Sequence, residues 1–379
     1  MKTKRFLLTG HDAGGTVPPM LALGEELVRR GHEVSVLSQP SVQDRAERAG
    51  CRFTAFSSIP DYERRRSLED QLEVTVPAIT GRAIGDDLTR LAGERKADLL
   101  VVDANLAGGL AAAEALAQPS VVLLHSMYTT FVDTWFADFW SLIEPIVNET
   151  RSGFGLAAVD GWPAVFAAHD RLLSVVPGGF DAPVAEAPVS LRHFGFLLPR
   201  PVAVVEATGF PDGDEPAVLV GLSTTYQGHE ALLQTIVEAL GGMAVRALVT
   251  TAGQVDVETL DVPANVRVVE FVPHAQVLGE TAVMVTHAGL GSVAAALGAG
   301  VPLVCTPIAR DQPLNARRVA ELGAGIALGP DASGDEIARA VGQVLIDPRY
   351  RTAAEAIAGA SRDGGGAPAA AAELEALLA

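Results

Sequence analysis

The residues best suited to chemistry lie at Thr286-His287-Ala288-Gly289-Leu290-Gly291-Ser292. The segment follows an apolar run and opens a helical pattern, so it reads as a strand-to-helix turn. Gly289 and Gly291 let a ligand approach the backbone, and the free N–H groups of a helix start favour an anion such as phosphate. His287, at the strand end, can donate a further hydrogen bond. A tight turn would use the same glycines for its own geometry. Asp311 and Gln312 follow another apolar run. A carboxylate beside a carboxamide can accept from and donate to adjacent hydroxyls, which is what sugar recognition requires. A solvated loop would carry the same pair.

Such residues need a frame, and the hydrophobic pattern supplies one. Strands are expected at Phe6–Thr9, Glu33–Ser38, Arg52–Phe56, Asp98–Asp103, Ser120–Leu124, Leu172–Val176 and His193–Phe196. A second series follows at Ala217–Leu222, Arg246–Thr250, Val266–Val268, Ala282–Thr286 and Pro302–Thr306. Helical spacing alternates with them, including one long helix over Thr80–Arg95 and others at Gly108–Ala117 and Leu290–Ala299. Unbroken apolar strands alternating with helices predict parallel sheets covered on both faces. The fold class is therefore α/β, with two Rossmann-like doubly wound domains. The boundaries read as 1–200, a Pro-, Gly- and acid-rich linker at 201–215, a second domain at 216–360, and a final helix at 361–379. Ligands bind in the crevice outside the carboxyl ends of such strands, so two halves facing a cleft predict two substrates, one per half.

Composition narrows the partners. The chain has 379 residues, with 28 Lys plus Arg against 46 Asp plus Glu, a formal net charge of −18. So acidic a protein repels nucleic acid and anionic bilayers, so neither is an expected partner. Any phosphate must be held locally, by backbone donors and helix N-termini. Cys51 and Cys305, both in apolar stretches, are too few for a disulfide framework or a cysteine zinc site. The N-terminal apolar run stops within a few residues at Gly10, short of a signal peptide. No run approaches the roughly 18 apolar residues of a membrane span. A cytoplasmic protein, monomeric or homodimeric, is expected.

The order of the C-terminal pieces is more specific than any one of them. Phe271-Val272-Pro273-His274, then His287 to Ser292, then Gly300-Val301-Pro302, then Asp311-Gln312 with Asn315, resembles the donor signature of family 1 glycosyltransferases. These are nucleotide-sugar enzymes of GT-B fold that include plant, macrolide and antibiotic glycosyltransferases. The resemblance covers essentially the whole chain. It implies that Phe271 and Val272 flank the nucleobase, and that His287, Gly291 and Ser292 hold the diphosphate with Gly289 beside them. It also implies that Asp311 and Gln312 hold the sugar, that Ser223 and Thr224 touch phosphate, and that the tail packs back on the N-terminal domain. The N-terminal half departs at one place. Family members usually place a general-base His in a Gly-His-Val-x-Pro-like stretch, and here Gly15-Thr16-Val17-Pro18-Pro19 puts Thr16 there. This stretch looks like an actinobacterial subgroup carrying Gly-Gly-Gly-Asn-Val-Pro-Pro.

A replacement base must reach the acceptor hydroxyl, and an imidazole titrates near neutral pH. His11, in the first strand-to-helix loop, is the leading candidate. Asp103 matches the Asp that orients the catalytic His in the family, and an Asp–His pair would fix the tautomer. Asp12 and His125 are the alternatives, as is no protein base at all for an acidic acceptor. His32 reads as a helix-end residue, and His169, His193 and His229 as surface or loop residues. Met127, Tyr128, Phe131, Trp135 and Phe139 recur at roughly helical spacing after a strand end. They are expected to line a site, with Thr16, for a large apolar acceptor, although a plain packing helix has the same pattern. The basic run Arg64-Arg65-Arg66 reads as a solvated loop. With no Asp-x-Asp at a strand end, neither a metal nor a cofactor is expected, and a nucleoside diphosphate sugar (UDP or dTDP) is the co-substrate. The chemistry implied is direct displacement with inversion, moving a sugar or deoxysugar to an apolar natural-product aglycone. A catalytically silent helper protein and a nucleotide-sugar 2-epimerase are the alternatives.

Overall fold

A computed structural model describes residues 2–13, 15–57, 59, 68–132, 135–183, 186–200, 209–223 and 227–379, with the backbone alone for 68–72 and 135–138. Thr224, the run Arg64–Arg66 and most of the expected linker lie outside the described residues, as does the side chain of Trp135. The chain forms two compact units, one carrying the N-terminal sheet with the tail Ser361–Ala379, the other Arg200–Ala360.

In the first unit, strands β1 (Arg5–Thr9), β2 (Glu33–Ser38), β3 (Arg52–Ala55), β4 (Leu99–Asp103), β5 (Ser120–Leu124), β6 (Arg171–Ser174) and β7 (Leu191–His193) form one sheet. Their order is β3-β2-β1-β4-β5-β6-β7. All pairings are parallel, and Thr9 sits opposite Val102 while Asp103 sits opposite Leu123. Leu99, Leu100, Val101 and Val102 are wholly buried, as β4 lies mid-sheet under helices on both faces. The strand order reverses at β1 and β4, so the crevice of this unit opens beyond Thr9 and Asp103.

In the second unit, β8 (Ala217–Gly221), β9 (Arg246–Thr250), β10 (Val266–Val269), β11 (Val283–Thr286), β12 (Leu303–Cys305) and β13 (Gly325–Ala327) are ordered β10-β9-β8-β11-β12-β13. The reversal falls between β8 and β11, whose last residues Gly221 and Thr286 face each other. Both units are thus doubly wound parallel α/β sheets.

Three local readings are corrected. The long helix over Thr80–Arg95 is two helices, Leu68–Thr80 and Arg82–Arg95, broken at Gly81. The break lets the chain pass close to the helix Ala107–Leu116, where a Cβ on Gly108 would run into the Gly81 carbonyl oxygen. β13 and the helix Pro348–Asp363 were not foreseen. Their sequences are short or Ala-rich, and neither gives a clear period. The final helix Gly366–Leu377 packs on the helix Val17–Arg29. There Glu375 is bonded by Arg30 at 2.8 Å and by His32 Nε2 at 2.9 Å. His32 thus caps the helix end, its backbone N–H on the Leu27 carbonyl at 3.1 Å, and also fastens the tail.

Candidate functional site

The first unit places its chemistry at the ends of β4 and β5. Asp103 closes β4, and its Oδ1 accepts from the Asn105 backbone N–H at 3.0 Å. Leu106 N–H bonds the Asp103 carbonyl at 3.0 Å, and the helix Ala107–Leu116 starts there. This local bonding by a strand-end Asp turns the chain and holds the carboxylate still. The other oxygen, Oδ2, lies 2.8 Å from Nδ1 of His125, the residue after β5. Asp103 is 2% and His125 11% exposed in their side chains, so the pair is shielded but open at one edge. Asn105 Nδ2 lies 3.3 Å from His125 Nε2. The chain after His125 is pinned by Asp181, whose carboxylate accepts from Tyr128 N at 2.6 Å and Thr129 Oγ1 at 2.5 Å at the start of the helix Tyr128–Val132. Phe131 of that helix meets the His125 ring edge-on, with centroids 6.0 Å apart.

The partner of Asp103 is therefore His125, not His11. His11 is buried just past β1, and its carbonyl accepts from Thr16 Oγ1 and from Ala13 N–H. Thr16 is buried and spends its hydroxyl on this turn, also accepting from Ala13 N–H. That hydroxyl faces the loop rather than an acceptor. The Asp12 carboxylate is bonded by Arg45 at 2.7 Å and Ser41 at 3.3 Å, which ties the loop to the helix Gln43–Arg48 and argues against a free base.

The aromatic stretch is also corrected. Met127, Tyr128 and Phe131 are buried in the core of the first unit, and Phe139 packs against that core. Phe131 touches Trp162 and Phe166 edge-on at 5.6 Å. The helical spacing was a packing signal, and these rings support the loop bearing His125 instead of forming an open wall. Of two other imidazoles, His169 is not a surface residue while His193 is half-buried in β7. His169 is buried 2.8 Å from Ser120 Oγ, and burial holds it down to about 4. His193 Nδ1 lies 3.3 Å from the Val176 carbonyl.

The second unit gathers its polar groups at the ends of β8, β11 and β12. His287 follows β11, is buried, and bonds the Gly221 backbone; burial, helped by the nearby His229, Arg310 and His274, holds it down to about 3. At neutral pH it is an uncharged imidazole with a single N–H, for which the Gly221 carbonyl is an acceptor. Gly289 is the N-cap of the helix Leu290–Gly298. A Cβ on Gly289 would stand 2.5 Å from His287 Nε2, so only glycine leaves the imidazole room over the helix start. Gly291 and Ser292 occupy the first turn of that helix, whose leading N–H groups lack intrahelical partners, although the Ser292 N–H already bonds the Gly289 carbonyl at 3.0 Å. Ala288 is held at φ +65°. For a residue with a Cβ this is a strained conformation that neighbours must hold. The hold comes from Asn315 Nδ2, which donates to the Ala288 carbonyl and to Asp311 Oδ2, each at 3.0 Å.

Gln312 is buried, and its Oε1 accepts from Ile308 N at 2.8 Å and Ala309 N at 2.9 Å. Its Nε2 donates to Gln227 Oε1 at 2.9 Å, and Gln227 Nε2 donates to Ser223 Oγ at 2.9 Å. The structure thus brings Ser223 and Gln312 into one chain of amides, and turns the Gln312 oxygen onto its own loop. Phe271 is 68% exposed while Val272 is buried. Two members of this neighbourhood were given no role there by sequence reasoning. His229, at the N-cap of the helix Glu230–Gly241, is buried and held below its usual range by that burial. His274 is pressed against Gly221, where a Cβ would lie 3.0 Å from its ring, and burial holds it down to about 4. A lone His beside an ordinary helix start gives no periodic signal, so nothing in the sequence marked His229. Among the described residues no group of three or more His, Cys, Asp or Glu is placed to hold a metal ion. Nor is any described helix long and apolar enough to cross a membrane.

Comparison with known proteins fits this frame. Residues 234–373 match the family described as erythromycin biosynthesis protein CIII-like, C-terminal domain. The chain is 28% identical to 4'-demethylrebeccamycin synthase of Lentzea aerocolonigenes, over 92% of this chain and 93% of that one. It is 29% identical to demethyllactenocin mycarosyltransferase of Streptomyces fradiae, over 97% of this chain and 85% of that one. The solved structure of the glycosyltransferase VinC in complex with dTDP superposes with a TM-score of 0.74 at 23% identity, covering 99% of each chain. The chain is a glycosyltransferase of GT-B fold, similar along most of its length to enzymes of antibiotic biosynthesis.

Proposed function

We propose that this enzyme moves a sugar from a nucleoside diphosphate to a hydroxyl of an apolar natural-product aglycone, with inversion, and that His125 is the general base. The observation that carries the reading is the His125–Asp103 pair at the carboxyl edge of the first sheet. Asp103 accepts a hydrogen bond from the Nδ1–H, which fixes the tautomer and leaves the lone pair on Nε2. The acceptor proton passes to Nε2 as the acceptor oxygen bonds the anomeric carbon. The bond from that carbon to the diphosphate breaks, and its electron pair leaves with the diphosphate.

The second unit suits the other half of the reaction. The free N–H groups at the start of the helix Leu290–Gly298, over which the His287 ring lies, supply donors for the charge that develops on the leaving diphosphate. Such donors need no net positive charge, which fits a chain of net charge −18. The exposed ring of Phe271 offers a stacking face to a nucleobase. A thymidine or uridine diphosphate sugar is the co-substrate in this reading, and the dTDP held by VinC supports the former. Asp311 and Gln312 serve the sugar hydroxyls, with Gln312 acting through its amide N–H because its oxygen is committed to Ile308 and Ala309.

The test is to incubate the purified chain alone with dTDP- and UDP-glucose and a panel of polyketide aglycones, and to follow products by mass spectrometry. Glycosylated aglycone with the anomeric configuration reversed is expected, with turnover abolished in His125→Ala. Turnover only after adding a partner protein would overturn the reading in favour of a helper. Epimerised donor without an acceptor would overturn it in favour of a 2-epimerase.

A further inference from the structure

We propose that Asn105 is a positioning residue for His125, its side-chain amide turning over to follow the imidazole through proton transfer. This rests on the reading of His125 as the base. With its Nδ1–H donating to Asp103, neutral His125 carries its lone pair on Nε2, and Asn105 Nδ2, 3.3 Å away, is a donor to it. The same amide has a second face. Its Oδ1 is buried and has no hydrogen-bond partner among the described residues. Leaving a buried acceptor unpaired is unfavourable, and such a group calls for an explanation.

The chemistry at His125 supplies one. Once Nε2 has taken the acceptor proton, the ring has two N–H groups and no lone pair, so a donor beside Nε2 becomes a repulsive neighbour. A half-turn of the amide about its last torsion exchanges Nδ2 for Oδ1 and gives the new Nε2–H an acceptor. The bond so formed is charge-assisted, and is stronger than the neutral one it replaces. The main chain is suited to this. The Asn105 backbone N–H is fixed on Asp103 Oδ1 at 3.0 Å, and its carbonyl accepts from Ala107 N–H at 3.1 Å. The residue is thus anchored by its backbone while its amide is left to respond. The charged carboxylate of Asp103 on β4 is bonded to the ring at the opposite nitrogen, and Phe131 meets the ring edge-on.

The experiment titrates the His125 ring by 15N NMR in the full-length enzyme and in Asn105→Ala and Asn105→Asp, with His125→Gln assigning the signal. Asn105→Ala removes the partner of the protonated ring, so the His125 midpoint and the acid limb of kcat/KM move to lower pH. Asn105→Asp places a carboxylate there, so both move to higher pH by about one unit or more. In Asn105→Ala kcat falls about 10-fold, in line with one lost hydrogen bond to a charged group, and both KM values stay within about twofold. A merely structural Asn105 would not move the midpoint in opposite senses in two variants. An unmoved midpoint in both variants overturns the inference. Full turnover in His125→Gln instead overturns the reading of the base, and the two failures are distinct. Asn105→Asp keeps the side chain's shape and serves if the alanine variant unfolds.

Discussion

His125 Nδ1 and Asp103 Oδ2 lie 2.8 Å apart, from residues at the ends of adjacent parallel strands. The pairing makes the imidazole tautomer a property of the sheet. Asp103→Asn keeps an oxygen for the Asn105 N–H but can present an amide donor to His125, which drives the ring proton to Nε2. The base would then be in the wrong tautomer, and kcat is expected to fall by about 10²–10⁴. Affinity for dTDP by calorimetry is expected to stay unchanged, since its donors belong to the other unit. A loss smaller than tenfold would show that the pair does not govern turnover.

Gly289→Ala tests the diphosphate half. The new Cβ would lie 2.5 Å from His287 Nε2, far inside contact distance, so the imidazole must move off the helix start. The expected result is at least about a tenfold loss of dTDP affinity, the equivalent of one hydrogen bond to a charged group. The thermal midpoint should change little, because Gly289 is an N-cap in extended conformation that alanine also adopts. Unchanged affinity in calorimetry would remove His287 from the phosphate site.

Phe271→Ala separates binding from folding. The ring is 68% exposed, so it contributes little to the core. If it stacks on the nucleobase, its removal costs about 0.5–1.5 kcal/mol, or roughly 2- to 10-fold in dTDP affinity. The midpoint of thermal unfolding should not move. A destabilised variant with normal affinity would assign the ring to packing instead.

Much of the fold was legible because strands buried on both faces read as unbroken apolar runs, as in Leu99–Val102 and Val283–Val285. The ends of those runs also located His125, Asp103 and His287. Spacing could not tell which imidazole meets Asp103. That depends on β4 and β5 being neighbours in the sheet, which brings His125 rather than His11 to the Asp103 carboxylate. The period that marked Tyr128 and Phe131 reports an apolar face, and a core face gives the same period as a ligand-binding one. His229 and His169 were misread for a related reason. Their burial comes from tertiary packing around a single polar residue, which leaves no trace in local sequence. The Gln312 side chain was legible as a sugar-type donor and acceptor, but not that its oxygen would cap its own loop.

Leu374→Ala addresses the tail. Leu374 is wholly buried where the helix Gly366–Leu377 meets the helix Val17–Arg29. Emptying such a site costs about 2–5 kcal/mol, which lowers the Tm of the first unit by roughly 5–15 °C. Calorimetry on the full chain would register it as an earlier transition. A shift below about 2 °C would mean that the tail adds nothing to that unit's stability.

Stability should fall with acid in two stages whose order follows from the direction of each shift. Burial holds His169 to about 4, His274 to about 4 and His287 to about 3, all below the unfolded value of 6.5. Since the unfolded chain takes up these protons first, their contribution is complete above about pH 6.5 and is lost as pH falls toward 4. Each group contributes a slope of at most about 1.4 kcal/mol per pH unit. The Glu26 carboxylate behaves differently. Bonds from Arg29 and Arg30, against the opposing effect of burial, lower it from 4.5 to about 2. Its contribution is present above about 4.5 and is lost only as pH falls toward 2. Arg29 is half exposed, so salt screens this second stage more than the first. Tm recorded in half-unit steps should therefore begin to fall near pH 6.5, with added salt changing the slope mainly below 4.5. A flat Tm between pH 7 and 5 would show that these imidazoles are not held neutral by burial.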